Sequence, residues 1–183
     1  MNPMGKDHML RATEAWIAAG AEEAAVQAGR EAQARLADAP GRLRVGLVLA
    51  DDVAGGWTNR WTTDFAHRFE SAALYRRDFG VALLWASEPP SAQRAREEVL
   101  ATAARAAWER ARGPARTLRE RLSQEHHALR FAGREPGPPP PAQFLDATEA
   151  PVLFACLYGD AAAEALGYPP LNVSPALRPL NTP

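Results

Sequence analysis

Asp51, Asp52 and Glu88 are the side chains best suited to hold a cation, because each follows an apolar run of strand character, residues 43–50 or 80–87. If those two strands run parallel, their C-terminal ends share one edge of the sheet. Open α/β folds bind ligands just beyond such an edge. Clustered carboxylates of this kind suit a hard cation such as Mg²⁺, which takes oxygen ligands and keeps part of its water shell. The plainer role for aspartates after a strand is to accept hydrogen bonds from the backbone of the turn.

The turn itself carries Gly55 and Gly56, followed by Trp57, Asn59 and Arg60. Backbone N–H groups at the start of a helix could meet an anionic group, and these five residues form the candidate ligand-contacting set. The segment lacks both the Gly-Lys-Ser/Thr ending of a phosphate loop and the three spaced glycines of a dinucleotide fingerprint. A turn that needs positive φ explains the glycine pair equally well.

Arg60, Asp64 and His67 recur at i, i+4 and i+7, so they share one helical face. Asp64 can pair with Arg60 or Arg68, or it can fix the tautomer of His67 and make that imidazole a candidate general base. The competing role is a solvated salt-bridge stripe, worth ~0.3–0.5 kcal/mol. Trp57 and Trp61 flank the set and would wall a pocket or join the core.

Glu125 is the third candidate for catalysis. It lies seven residues after Leu118, three after Leu122 and four before Leu129, in the middle of an apolar stripe. A buried carboxylate must find a partner or take up a proton. An arginine near the Gly55-Gly56 turn would serve, in a structural ion pair or in a site. His126 and His127 are adjacent and point about 100° apart on a helix, and no spacing of zinc-ligand type occurs. Six arginines and two glutamates fall between Arg105 and Arg121, a composition that reads as a solvated face.

The elements that must position these residues follow from periodicity. Residues 7–38 read as helix, with Leu10, Ile17, Ala21, Ala25, Ala28, Ala32 and Leu36 forming a narrow stripe that Gly20 interrupts. Residues 43–50 are apolar throughout, as in a strand covered on both faces. Residues 58–77 read as one helix with Trp61, Phe65, Phe69 and Ala72 inward, and 80–87 as a second strand. Strand, helix and strand at this spacing make a βαβ unit. Ser91 can cap a helix to 112, and a second helix runs over 115–131. Residues 151–158 are a candidate third strand, with helix as the alternative.

The expected architecture is therefore α/β and mainly helical: an N-terminal helix, a small parallel sheet of two or three strands built on a βαβ unit, and an α-helical hairpin. Residues 1–168 form a single globular domain with a proline-rich linker at 134–142, and 169–183 are a proline-rich extended tail.

At 183 residues, with 46% hydrophobic and 23% charged residues, the chain can bury an ordinary core. A net charge of −1 gives no pull toward nucleic acid or anionic membrane. No apolar run is long enough to span a membrane. One cysteine, Cys156, set in an apolar run, excludes an internal disulfide and fits a reducing, cytoplasmic setting. The N-terminus has no secretory pattern. Lys6 is the lone lysine among 21 basic residues, a bias of GC-rich bacterial genomes.

Two functions fit. The chain binds a small polar ligand or a divalent cation at residues 51–67, with or without turnover. Alternatively it is a non-catalytic interaction protein, such as a homodimer, in which that segment is structural. Convergence of Asp51, Arg60, Asp64, His67 and Glu125 on one cleft would favour the first, and an apolar patch over the alanine-rich helices the second.

Overall fold

The N-terminal segment folds as two helices, α1 (Asp7–Ala18) and α2 (Ala21–Arg35), separated at Gly20. Gly20 adopts φ +77°, a left-handed conformation that a Cβ disfavours. This break resets the helical phase. In α2 the alanine stripe is the buried face, with Ala21, Ala28 and Ala32 inward. In α1 the stripe extrapolated through Leu10 and Ile17 points outward: they are 58% and 50% exposed, and Trp16 is buried in their place.

The computed structural model describes residues 7–53 and 60–136, apart from the side chains of 61, 62, 65, 69 and 118. The turn residues Gly55, Gly56, Trp57 and Asn59, the 151–158 segment, Cys156, and the proline-rich 137–142 and 169–183 lie outside the described residues. So do the aromatic stripe expected at Trp61, Phe65 and Phe69 and the side chain of Leu118.

Strands β1 (Arg44–Ala50) and β2 (Phe79–Trp85) pair in parallel, from Arg44 opposite Phe79 to Ala50 opposite Trp85. Helices α3 (Arg60–Phe69) and α4 (Ala72–Tyr75) connect them, which completes the βαβ unit. The single helix read over 58–77 is divided because Ser71 donates its hydroxyl to the His67 carbonyl at 2.5 Å, a local bond that competes with the backbone ladder. Asp78, at φ +56°, then turns the chain into β2. A short acidic side chain tolerates that conformation, and Arg110 donates to its carboxylate at 2.8 Å.

Helix α5 (Ala92–Arg112) begins where Ser91 Oγ accepts the Arg94 N–H at 3.3 Å, a cap worth about 1 kcal/mol. Helix α6 (Leu118–Phe131) starts at 118 rather than 115. Thr117 and Glu120 form a reciprocal capping box there, each side chain accepting the other's backbone N–H at 3.2 Å.

Helix α5 is central, with α2, α6 and both strands packed against it. The main core joins Ala28 and Ala32 of α2, Ala82 of β2, Val99, Leu100, Ala103 and Ala104 of α5, and Ala128 of α6. Ala82, Leu84 and Trp85 of β2 are buried, whereas Val48 of β1 remains 42% exposed, so the coverage on both faces expected for 43–50 belongs to β2 instead. The chain is thus α/β and mainly helical, with a two-stranded parallel sheet among the described residues. No helix among them is long and apolar enough to cross a membrane.

The α5–β2 contact is tight enough to test. A Cβ at Gly80 would stand 2.9 Å from Thr102 Cγ2 and 3.6 Å from Tyr75 Cε1. The buried Thr102 also donates its hydroxyl to the Val81 carbonyl at 3.1 Å, so its methyl cannot turn away without losing that bond. Gly80→Ala should therefore destabilise the fold by about 1–3 kcal/mol. The check is the urea midpoint at unchanged m-value; an unmoved midpoint would mean that α5 lifts off β2 here at no cost.

Candidate functional site

Asp52, at the end of β1, is fixed by Ser87, just past β2. Its Oδ1 accepts the Ser87 backbone N–H at 2.9 Å and its Oδ2 the Ser87 hydroxyl at 2.5 Å. Arg60, the first residue of α3, reaches both strand ends. Its guanidinium donates to Ser87 Oγ at 3.2 Å, lies 3.5 Å from Asp52 Oδ2, and is ion-paired to Glu88. It also sits 5.3 Å from the centre of the Trp85 ring, within cation–π range. Glu88 is held in turn by Arg94 Nε at 3.1 Å.

Asp51 is engaged elsewhere. Its Oδ1 accepts the Val53 N–H at 3.1 Å and stands 3.0 Å from His8 Nε2. The fold thus brings Asp52, Glu88 and Arg60 together. Among the described residues, no group of three His, Cys, Asp or Glu side chains is arranged to hold a metal ion.

Asp64 turns inward. Its Oδ1 accepts the Trp85 indole N–H at 3.1 Å, and its Oδ2 lies 3.6 Å from Arg68 NH2, so Asp64 does not orient His67. Burial raises the Asp64 pKa, against the pull of Arg68. His67 is half-buried, and its Nε2 makes no hydrogen bond within the protein. Burial first, and then the positive charge of Arg105, lowers its pKa to about 4. The imidazole is neutral at pH 7, and with that pKa it is only a weak base.

Glu125 is fully buried and has two arginine partners. Arg105 holds it bidentately, Nε to Oε2 at 2.9 Å and NH2 to Oε1 at 2.8 Å, and Arg68 NH1 donates to Oε1 at 3.1 Å. Burial alone would raise its pKa, but Arg105 and Arg68 outweigh burial and hold it at about 2. Glu98, also buried, is held by Arg94 NH1 at 2.6 Å and Arg134 NH1 at 3.2 Å, with Arg105 NH1 at 3.9 Å. Its pKa is lowered because these arginines overcome burial. The pairs form one continuous chain: Asp52, Arg60, Glu88, Arg94, Glu98, Arg105, Glu125, Arg68 and Asp64.

Sequence reasoning missed most of this interior set. Arg94, Glu98, Thr102, Arg105 and Glu109 lie at spacings of four, four, three and four on α5. They form a helical stripe that reads as a solvated face, yet Glu98, Thr102, Arg105 and Glu109 are all buried. The run of arginines from Arg105 to Arg121 is likewise no uniform solvated patch. Arg105 is interior, and Arg110 donates to the Arg42 carbonyl at 2.6 Å and the Tyr75 carbonyl at 3.0 Å. Arg112 stacks on Trp108 at 3.9 Å. The available signal was Glu125 itself, whose place in an apolar stripe demands a buried cation on a facing helix. His127 packs against Trp108 with ring centres 5.4 Å apart.

The chain matches no protein-family model, no curated protein and no solved structure. Roles for these residues rest on their own chemistry.

Glu125→Gln should destabilise the protein by roughly 3 kcal/mol or more, because it leaves two buried guanidiniums short of charge. The acid limb of the stability curve should carry two signatures. His67 has a folded pKa below its unfolded value, so its contribution is full above pH ~6.5 and falls as pH drops toward 4. Glu125 contributes fully above pH ~4.5 and loses that contribution toward pH 2, while Asp64, with its raised pKa, opposes both. Urea unfolding between pH 4 and 7 should show a shallower slope in His67→Gln than in the parent; equal slopes would place the imidazole in solvent.

Proposed function

We propose that this protein binds a small polar ligand beyond the C-terminal ends of β1 and β2, and that the group recognised there is an organic cation of guanidinium or ammonium type. The observation that carries the reading is the unequal fixing of the charges. Asp52 is bound by the backbone and hydroxyl of Ser87, and Glu88 by Arg94, so both carboxylates keep their places without Arg60. Arg60 is a long side chain, 32% exposed, that fills the space between them over the Trp85 ring. Two positioned carboxylates, a hydroxyl and an indole suit a cationic group, and Arg60 is the built-in occupant with which a ligand would exchange. Turnover has no comparable support, because Asp64 and Glu125 are committed to the buried arginines.

A second reading, an interaction protein that self-associates, draws on a different feature. A groove of about 710 Å³ runs between α2, β1 and α5, lined by Val26, Leu36, Val45, Leu47 and Ala103 among others. Val26, on its rim, is 57% exposed.

The first reading is tested by chemical rescue. In Arg60→Ala, N-ethylguanidinium should bind saturably and raise the melting temperature by a few degrees relative to sodium chloride at equal ionic strength. At ten times its Kd the gain is about 1.4 kcal/mol. In the parent protein the same probe must displace Arg60 and should bind at least tenfold more weakly. No specific effect in Arg60→Ala would sink the reading. A rise with MgCl₂ but not with the guanidinium would make the ligand a divalent ion instead.

A further inference from the structure

One edge of the sheet is open. Arg44 donates its N–H to the Asp78 carbonyl at 2.8 Å, and the Ala50 carbonyl accepts the Ala86 N–H at 2.9 Å, so residues 44, 46, 48 and 50 turn their backbone polar groups toward β2. Alternate residues of a strand direct these groups to opposite sides. Val45, Leu47 and Leu49 therefore present N–H and C=O at the other edge of β1, where no strand pairs among the described residues. The edge lacks the usual protection against pairing: β1 holds no proline or lysine, and its one charge is Arg44 at its start.

The helix layer reaches past that edge. Helices α2 and α5 share one core with the sheet. Two packed helices cover about 20 Å, the width of roughly four strands at about 4.8 Å each. With two strands beneath them, α2 overhangs, and the overhang is the groove of about 710 Å³. Its walls are Val26 and Gly29 of α2, Leu36 just past that helix, Val45 and Leu47 of β1, and Ala103 of α5. A strand added at β1 would exchange backbone hydrogen bonds with the three open residues and send every second side chain into the groove, as in β-strand addition. A second folded copy pairing through its own β1 fits less well, because its α2 would compete for the same space.

The chain carries a segment suited to this place. Beyond Pro136, the uncharged apolar run is residues 151–158 (PVLFACLY), with its proline at the first position, where a strand tolerates one. The chain leaves α6 beside the groove: Arg35 lies over the Phe131 ring at 3.7 Å, and the next residue, Leu36, lines the groove. Residues 137–150 can span up to about 45 Å, roughly twice the length of a strand such as β1. We propose that residues 151–158 dock along the open edge of β1 as a third strand and fill the groove from within the same chain. The inference gives the groove of the second reading an occupant other than a folded copy, and it is independent of the cation site.

The test uses the full chain, in which Cys156 is the one cysteine and lies inside the docking run. Val26→Cys places a second thiol on the groove rim at an exposed position, and Gln33→Cys, also exposed and on the groove, serves if that variant does not fold. Ser123→Cys, exposed on α6, is the control. A short bismaleimide should link residues 26 and 156 within one chain at least tenfold faster than 123 and 156, at a rate independent of protein concentration. Peptide mapping identifies the linked pair. Equal rates for the rim and control positions overturn the proposal. Links that form mainly between chains and grow with protein concentration also overturn it, and make the occupant a second copy or its exchanged segment.

Discussion

Glu125 is the carboxylate on which the helical layer turns, since Arg105 of α5 and Arg68 of α3 both close on it from α6. Removing such ions from water costs several kcal/mol each, and their attraction roughly offsets that cost when geometry and hydrogen bonds are good. The network therefore adds little stability over an apolar replacement. What it adds is geometry: the bidentate Arg105 pair and the Arg68 bond are satisfied together only when α3, α5 and α6 hold one relative placement. The rest of the core cannot supply that discrimination as strongly. It is built largely from alanines, whose side chains allow close approach but bury little area each and interdigitate weakly.

The same network ties the helical layer to the sheet. Trp85, the last residue of β2, donates its indole N–H to Asp64, which neighbours Arg68. Arg94, near the start of α5, bridges Glu88 beyond β2 to Glu98 in the interior. The strand ends are thus braced by charges anchored in the core rather than by loop contacts alone. Side chains held in this way keep their positions because the residues behind them are themselves immobilised.

Much of this arrangement was legible in the residues. The βαβ unit followed from two apolar runs of strand length separated by a helical pattern, and the hairpin from Ser91 and the two helical stretches read to 112 and over 115–131. Glu125 stood out because a carboxylate at core spacing cannot be left unpaired. Three features were not legible, each for a physical reason. Leu10 and Ile17 were placed inward by extending one period through Gly20, where a left-handed residue changes the helix axis and the face. The division at Ser71 depends on a side chain competing for a backbone carbonyl, which periodicity does not report. The polar stripe of α5 was invisible as core because amphipathicity assumes one solvated face, whereas residues 98–106 of α5 are buried without a break, with α2, α6 and the sheet packed against the helix.

The two ends of the charge network differ in how easily they can be rearranged, and that difference separates structure from site. At the inner end, removing a partner of Glu125 strands a charge with no water to receive it. At the outer end, Arg60 is 32% exposed while its partners Asp52 and Glu88 are only 8% and 16% exposed, so water screens one side of these pairs and not the other. Its departure leaves Asp52 with the Ser87 donors and Glu88 with Arg94, so no buried group is stripped. In the proposed exchange, an incoming cation has to recover the Arg60 pairs with Asp52 and Glu88 as well as the Trp85 contact. The interior keeps the carboxylates in place during that exchange, because moving them would disturb Arg94 and, through it, Glu98. A buried inner network with one partly exposed cation at its rim is the arrangement on which the proposed ligand exchange rests.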